Sequence, residues 1–363
     1  MIFMKKLKTW FFSLFIIIIL TISATSTGVL SKNIMKSIET CKGSINNFYF
    51  VHITDTHVMD EKFDNGFSKM RLRSVLENVT SFEEKPAFVV ITGDLVEWGS
   101  SGSGALNYQT FLDCFYEKEN QLYADKGCSI PVYTTPGNHD YFWENNLDNY
   151  HAYVDKNHVA DEDRYTIVYG DVSLFFMDSG ANYLKEPYTW FHPYGDGLFD
   201  DDIAWLEEQL STCKTTHKIV LMHHPAVNVR DDSGVMYDVI ARNRMRLISL
   251  CEEYDVDLVL TGHTHCSRVF DADENLLESY PFDCSEYSTL FVQTDDCKEG
   301  VHYRNITVVD DDICLEKCEE IKIKHPHDKS AVFIRGSTSI YKDIYLYILY
   351  WVINYSLNKT IQP

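Results

Sequence analysis

Acidic, amide and imidazole side chains are grouped in five short clusters along the 363-residue sequence, and each cluster follows an apolar run. In chain order the clusters are Asp55-Thr56-His57, Gly93-Asp94, Gly137-Asn138-His139-Asp140, His223-His224-Pro225 and Gly262-His263-Thr264-His265. Carboxylate and imidazole groups suit Zn, Fe or Mn, whereas a Ca site uses oxygen ligands alone and a structural Zn site uses thiolates. A single D-x-H or G-D means little, but five clusters in series predict a catalytic metal centre.

The apolar runs that precede the clusters have the length and composition of buried β-strands. They cover residues 49–53, 87–92, 132–135, 218–222 and 257–261, and residues 165–177 are typical of an inserted hairpin. Because the carboxyl ends of strands in α/β sheets converge on one crevice, the five clusters should meet there. Helical stretches between the strands predict an α/β fold with two packed mixed β-sheets flanked by helices.

Two helices and one loop are predicted in more detail. Asp201 should cap a helix, and a second helix should bury Met245, Ile248 and Cys251 on one face. Residues 99–104, with the sequence Gly-Ser-Ser-Gly-Ser-Gly, predict a flexible loop.

The ordered clusters resemble the calcineurin-like metallophosphoesterase superfamily, whose pattern runs D-x-H, G-D, G-N-H-D/E, H and G-H-x-H. The resemblance extends over about residues 47 to 320. It implies two metal ions, of Zn, Fe or Mn. Asp55, His57 and His265 would hold one ion, Asn138, His223 and His263 the other, and Asp94 would bridge both. The implied reaction is hydrolysis of a phosphate ester by in-line attack of a metal-bridging hydroxide.

The resemblance also implies roles for residues around the metals. His139 would be the general acid, and Asp140 would orient or charge it. His224 is expected at the rim of the site, where it contacts the phosphate or only fills space. Tyr141 begins an aromatic run that could stack on a nucleobase, cover an apolar alcohol or pack as an ordinary lid. His52, within the first predicted strand, is expected to be a hydrogen-bonded core histidine.

Departures from two branches of the superfamily narrow the interpretation. Glu97 lies three residues after the bridging aspartate, where purple acid phosphatases have tyrosine, and Met59 interrupts the D-x-H-x-D of acid sphingomyelinases. The chain resembles the remaining branch of phosphohydrolases and class III cyclic-nucleotide phosphodiesterases. We expect a secreted dimetal hydrolase of a phosphomonoester or phosphodiester. The alternative is a non-catalytic metal-binding or partner-binding module on the same fold, and the complete set of motif residues favours the enzyme.

The charge of the chain limits its partners. There are 54 Asp and Glu against 32 Lys and Arg, and the net charge is −22. Such a surface should repel nucleic-acid polymers and anionic lipid. A small phosphate ester is compatible with it, because bound metal ions reverse the field inside a cleft.

The two ends of the chain predict its compartment. Residues 1–26 have the basic start, apolar stretch and small residues of a cleaved signal peptide, and residues 27–46 form a connector. The catalytic domain is expected at residues 47–320. Residues 321–363 form a polar connector and an apolar tail, of which residues 344–353 could dock on the domain or contact a membrane surface. We expect secretion or delivery to the lumen of the secretory or lysosomal pathway rather than a membrane-anchored form.

Cysteines and glycosylation sequons agree with this compartment. Ten cysteines without a C-x-x-C pair predict disulfides, and the expected bonds are Cys114–Cys128 and Cys266–Cys284. Four N-x-S/T sequons predict a glycoprotein, and they lie at Asn78, Asn305, Asn354 and Asn358.

Overall fold

The computed structural model describes residues 47–116, 130–154, 163–182, 194–229, 237–278, 280–309 and 312–323. The predicted signal peptide, the connector after it and the tail segment 344–353 lie outside these ranges. Within the described ranges, no helix is both long and apolar enough to cross a membrane.

The first of two seven-stranded sheets contains the strands that precede three of the clusters. Its strands are β1 (Asn47–Ile53), β2 (Val89–Thr92), β3 (Val132–Thr135), β12 (Phe282–Asp283), β14 (His302–Val309), β15 (Asp312–Leu315) and β16 (Glu319–Glu320). Their order is β12-β15-β14-β1-β2-β3, and β16 pairs with β14. Because β1, β2 and β3 are parallel, the residues that follow them lie at one edge of the sheet.

The second sheet contains the strands that precede the other two clusters. Its strands are β4 (Tyr165–Tyr169), β5 (Val172–Phe176), β7 (His217–Leu221), β9 (Leu258–Thr261), β10 (Arg268–Phe270), β11 (Leu276–Leu277) and β13 (Leu290–Gln293). Their order is β11-β10-β13-β9-β7-β5-β4, in which β5, β7, β9 and β13 are parallel. The predicted hairpin is confirmed as the antiparallel pair β4 and β5. A two-stranded sheet joins β6 (Gly195–Gly197) to β8 (Ile240–Arg242).

Helices cover the outer face of each sheet. They are α1 (Glu61–Asp64), α2 (Phe67–Ser81), α3 (Gly104–Tyr116), α4 (Asp148–Tyr153), α5 (Asp200–Thr212) and α6 (Arg244–Glu253). Side chains alternate across each strand, so Phe50 packs with Leu221 between the sheets while its neighbour Val51 packs with Leu72 of α2. The predicted α/β fold with two packed mixed β-sheets flanked by helices is confirmed.

Two details of the helices differ from the predictions. Asp201 lies inside the first turn of α5 and is not its cap. In α6, Ile248 and Cys251 are buried as predicted, but Met245 is 58% exposed because Leu247 occupies the buried face instead.

The 99–104 loop is hydrogen-bonded to the turn that carries His139, although its composition predicts flexibility. The Gly99 N–H donates to the His139 carbonyl at 2.9 Å. Ser100 Oγ donates to the Phe142 carbonyl at 2.7 Å and accepts the Glu144 N–H at 2.7 Å. The loop therefore supports the third cluster.

One of the two expected disulfides is wrong. Cys284 is a buried free thiol, so it does not bond to Cys266. Cys128 lies outside the described ranges, and the bond between Cys114 and Cys128 stays a prediction. Glycosylation also stays a prediction.

Candidate metal centre

The seven predicted ligands lie together at the carboxyl ends of strands from both sheets. The first sheet contributes Asp55 and His57 after β1, Asp94 after β2 and Asn138 after β3, and the second contributes His223 after β7 and His263 and His265 after β9. The two sheets therefore supply facing halves of one site.

The first group of ligand atoms contains a carboxylate oxygen and two imidazole nitrogens. Asp55 Oδ1 lies 3.3 Å from His265 Nε2 and 3.7 Å from His57 Nε2. Asp94 Oδ2 lies 3.5 Å from His57 Nε2. These atoms are close enough to share one cation.

The second group contains an amide oxygen and two imidazole nitrogens. His223 Nε2 lies 3.1 Å from Asn138 Oδ1 and 3.3 Å from His263 Nδ1, and His263 Nδ1 lies 3.1 Å from Asn138 Oδ1. Asp94 Oδ2 lies 3.4 Å from His223 Nε2. One oxygen of Asp94 therefore faces both groups, as a bridging ligand must.

Both groups fit divalent cations. Two atoms bound at about 2.1 Å with octahedral or tetrahedral angles lie about 3.0 to 3.4 Å apart, and the separations above run from 3.1 to 3.7 Å. Asp55 Oδ1 and His57 Nε2 are buried and have no hydrogen-bond partner among the described residues. Buried polar atoms without partners are costly, and a cation would satisfy both.

The backbone holds most of these ligands in an uncommon conformation. The angle φ is 52° at Asp55, 43° at His57, 50° at Asp94, 68° at His263 and 48° at His265. This left-handed region is enriched in Asp, Asn and His among residues with a side chain, and it costs about 1 to 3 kcal/mol per residue. The turns after the strands therefore direct the ligands inward at some cost in stability.

The glycines of the motifs are required by close approach. A Cβ at Gly93, whose φ is 80°, would overlap the His223 ring. A Cβ at Gly137 would overlap Asp94, and one at Gly262 would overlap Asp55. Each glycine therefore lets a neighbouring ligand reach the site.

A hydrogen bond and an ion pair from other residues orient the ligands. Thr54 Oγ1 donates to Asp55 Oδ2 at 2.7 Å, and Glu97 Oε2 lies 2.8 Å from His57 Nδ1. An ion-pair contact at Nδ1 leaves Nε2 of His57 to face the other ligands. Neither Thr54 nor Glu97 is recognisable as a site residue from the motifs, although Glu97 lies three residues after Asp94.

His52 is a hydrogen-bonded core histidine, as predicted. Its Nε2 lies 2.7 Å from Thr92 Oγ1 and its Nδ1 lies 2.8 Å from Thr294 Oγ1. Burial and then Arg304 lower the pKa of His52 to about 3, so the ring is neutral. The Thr92 carbonyl in turn lies 2.8 Å from His223 Nδ1 and orients that ligand.

The carboxylates of the centre are ionised at neutral pH. Burial acts to raise the pKa of Asp55 and of Asp94, but neighbouring imidazoles outweigh it and hold both values well below the usual range. Burial and Lys298 lower the pKa of His57, yet Glu97 and Asp55 outweigh them and raise it to about 9. Ionised carboxylates and neutral imidazoles are the forms that bind a metal, so a cation bound at His57 Nε2 would displace a proton from that ring.

His139 lies beside the first group of ligands. Its ring centroid is 4.5 Å from that of His57, and its Nδ1 lies 2.8 Å from the Glu97 carbonyl. Since a carbonyl only accepts, Nδ1 carries a proton and Nε2 is the atom left for chemistry. Burial lowers the pKa of His139, and the charges of Asp94 and Glu97 oppose that shift.

Among the described residues, Asp140 makes no hydrogen bond to the His139 ring, which corrects its predicted role as the partner that orients the ring; its effect on the charge of His139 stays a prediction. Its carboxylate accepts the N–H groups of Gly137 at 2.8 Å and Leu95 at 3.2 Å, and the Tyr108 hydroxyl at 2.7 Å. Burial and Asp94 raise the pKa of Asp140 to about 7. Asp140 therefore fixes the turn, and the Glu97 carbonyl orients His139.

His224 is fully buried, which corrects its predicted position at the rim. Its Nδ1 lies 2.8 Å from Ser179 Oγ, and its ring centroid is 4.3 Å from that of His263. A Cβ at Gly195 would overlap this ring, so the glycine makes room for it. His224 packs against the second group of ligands, and which of its two expected roles it has stays a prediction.

Tyr141 lines a cavity of about 920 Å³ whose wall also includes Asn138 of the second group. Its hydroxyl donates to Asp178, which also lines the cavity. Phe142 and Trp143, next to Tyr141, complete an aromatic wall. The cavity thus borders the candidate metal centre at Asn138 and has room for an organic group.

Comparisons with known proteins agree with this geometry. A family model described as calcineurin-like phosphoesterase matches residues 48–267. A probable glycerophosphodiester phosphodiesterase, GpdQ, of Arcobacter nitrofigilis is 24% identical over 222 residues, which cover 59% of this chain and 71% of that protein. A probable cyclic nucleotide phosphodiesterase of Rhodococcus erythropolis is 26% identical over 224 residues, which cover 60% of this chain and 65% of that protein.

Among solved structures, a purple acid phosphatase from yellow lupin seeds is similar to this chain, with a TM-score of 0.49 and 12% identity. The similarity covers 76% of this chain and 51% of the lupin protein, so this chain spans about half the length of that protein. The family match covers more than half of the present chain and includes all seven candidate ligands. The chain belongs to the calcineurin-like phosphoesterase family.

Proposed function

We propose that this chain is a metal-dependent hydrolase of a small phosphodiester. The observation that carries the proposal is the position of Asp94 Oδ2, 3.5 Å from His57 Nε2 and 3.4 Å from His223 Nε2. One carboxylate oxygen between two ligand groups is the arrangement of a two-metal site. The phosphodiesterase names of the two bacterial relatives favour a diester over a monoester.

In this proposal, two groups of residues bind the cations and a separate residue transfers a proton. When bound, two divalent cations would lower the pKa of a water molecule and neutralise the charge of the phosphoryl oxygens. Asp55, His57 and His265 would hold one cation, and the second group the other. His139 would donate a proton from Nε2 to the leaving oxygen, while the Glu97 carbonyl holds its Nδ1 at 2.8 Å. An anionic substrate favours the protonated imidazole.

The cavity beside Asn138 would receive one organic arm of the diester. Its wall combines the aromatic run that begins at Tyr141 with five aspartates, among them Asp163 and Asp201, against the single arginine Arg164. These carboxylates would repel a second phosphate on the same arm. We therefore propose that this arm of the substrate is an uncharged or cationic alcohol and that the substrate is not a polynucleotide.

We also propose that the chain is secreted and that its catalytic unit spans residues 47–320. The signal-like residues 1–26 support secretion. The pairing of β14 with β1 supports a catalytic unit that extends beyond the family match, since β14 completes the first sheet. Sequencing the N-terminus of the protein from culture medium tests secretion, and an intracellular chain that retains Met1 would contradict it.

The enzymatic proposal is tested with the purified secreted chain. Bound metal is counted, and hydrolysis of an aryl phosphodiester is compared with that of the matching monoester in added Mn²⁺ or Zn²⁺. We expect two ions per chain and faster hydrolysis of the diester. The variant Asp94→Asn should lose metal and activity, whereas Asp312→Asn, at an exposed carboxylate, should lose neither. Two bound ions without hydrolysis of any ester would favour the non-catalytic alternative.

A further inference from the structure

A loop at residues 295–300, directly after β13, lies against the first group of ligands. It is outside residues 48–267, which the family model matches. Asp296 and Cys297 are 3% and 0% exposed, so this part of the loop is as buried as the ligands. The 295–300 loop therefore lies next to the candidate metal centre but outside the residues that the family model matches.

The 295–300 loop is stiffened from within and joined to the turn that carries Asp55. Asp296 Oδ1 accepts the N–H of Lys298 at 2.7 Å and that of Glu299. The Cys297 N–H donates to the carbonyls of Thr54 at 3.2 Å and Asp55 at 3.3 Å. These bonds fix the backbone of the loop relative to the carboxylate ligand.

Lys298 reaches His57 through Glu97. Its Nζ lies 3.0 Å from Glu97 Oε2, and the same oxygen lies 2.8 Å from His57 Nδ1. The Glu97 and Lys298 side chains are 10% and 20% exposed, so the pair is largely removed from water. Loss of one partner of such a pair leaves a buried charge uncompensated, and the remaining side chain then moves or is neutralised.

Asp296 lies beside the other imidazole of the first group. Its Oδ2 is 3.7 Å from His265 Nδ1, on the side of the ring opposite to the Nε2 that faces Asp55. The loop thus approaches all three residues of the first group: Asp55 through a backbone bond, His265 directly and His57 through Glu97.

We propose that the 295–300 loop positions the ligands of the first metal, with Lys298 and Asp296 as positioning residues. The inference rests on the metal centre of the proposed function. Lys298 holds the Glu97 carboxylate on His57 Nδ1, and Asp296 holds the His265 ring. Partners of this kind keep imidazole ligands oriented, and their loss typically weakens metal binding by about 10- to 100-fold.

The test uses the full secreted chain and Mn²⁺ as the probe. The variants are Lys298→Met, which keeps the aliphatic stem, Lys298→Arg, which keeps the charge, and Asp296→Asn, which keeps the size. Arg246→Met is the matched control, because Arg246 is 49% exposed and pairs with Glu207 at 3.4 Å on the surface. Mn²⁺ affinity is measured by equilibrium dialysis, and electron paramagnetic resonance separates coupled pairs of ions from single ions.

We expect Lys298→Met to bind one of two Mn²⁺ ions about 10- to 100-fold more weakly and to show the signal of single ions. Lys298→Arg should restore the coupled pair, and kcat should follow the metal occupancy while KM stays constant. Thermal unfolding shows whether Lys298→Met is folded. If it is not, Asp296→Asn tests the loop through its contact with His265 instead.

Wild-type Mn²⁺ affinity and a coupled signal in both Lys298→Met and Asp296→Asn would overturn the proposal. The same holds if Lys298→Arg behaves like Lys298→Met, because the charge would then be irrelevant. Metal binding is read directly, so a wild-type chain that binds two ions and hydrolyses nothing refutes the proposed function and leaves this test intact. A wild-type chain that binds no ions refutes both.

Discussion

Replacement of His139 by alanine separates proton transfer from metal binding. The His139 backbone N–H donates to Asp94 Oδ1 at 2.8 Å, and alanine keeps this bond. The side chain contributes one hydrogen bond, from Nδ1 to the Glu97 carbonyl, and is 21% exposed. His139→Ala should therefore keep both metal ions and lose about 1 to 2 kcal/mol of stability.

The effect on the rate should be larger. Loss of a general acid lowers the rate about 10²- to 10⁴-fold, which corresponds to about 3 to 5.5 kcal/mol in the activation barrier. The size of the effect should depend on the leaving group. A nitrophenolate leaves without a proton, whereas an alkoxide needs one, so the alkyl ester should show most of the loss.

The assay compares wild type and His139→Ala on two diesters that share one arm and differ in the leaving group, at matched metal occupancy. An equal loss of kcat on both esters would refute the role of His139 as proton donor. A wild-type rate on the alkyl ester would refute it as well. Loss of metal in the variant would show that His139 acts on the ligands instead.

Three other measurements test the geometry of the site. Gly137→Ala should lose metal and about 1 to 3 kcal/mol of stability, because its Cβ would overlap Asp94, whereas Gly102→Ala, in open space, should change neither. A stable, metal-loaded Gly137→Ala would contradict this. Burial raises the pKa of Asp178 to about 7. The folded protein therefore retains a proton that the unfolded chain releases near pH 4, and the free energy of unfolding falls as the pH rises from about 4 to 7. In urea unfolding measured at pH 5 and at pH 8, Asp178→Asn should remove a loss of stability of at most about 3 kcal/mol between the two pH values; equal pH dependence in both proteins would refute the shift. Chelation should lower the unfolding temperature and added Mn²⁺ should restore it, and an unchanged midpoint would argue against structural coupling of the metals.

The order of motifs is enough to predict the positions of the ligands, because each follows a parallel strand and such strands end at one edge. Contacts between residues that are far apart in sequence are not predictable in this way. Lys298 and Glu97 are 201 residues apart, and they meet where the loop after β13 packs against the turn that follows β1. No short-range pattern indicates that pair.

Adjacency in sequence was misleading at two positions. Asp140 follows His139, but the turn directs its carboxylate to the N–H groups of Gly137 and Leu95. His224 follows His223, and both rings are buried because Gly195 of another strand leaves space for the second. In turns, the direction of a side chain depends on local φ and on distant neighbours rather than on alternation.

The division of ligands between the sheets has a consequence for how the chain could be divided. The first group contains two residues that follow strands of the first sheet and one that follows a strand of the second sheet. The second group contains one residue from the first sheet and two from the second. Neither residues 47–154 nor residues 163–323 alone contain a complete set for either cation. Cations that bind only the joined halves would favour their association. If the chain is cut between α4 and β4, the two fragments should therefore bind each other more tightly in Mn²⁺ than in chelator. The affinity between the fragments would then be a measure of metal binding.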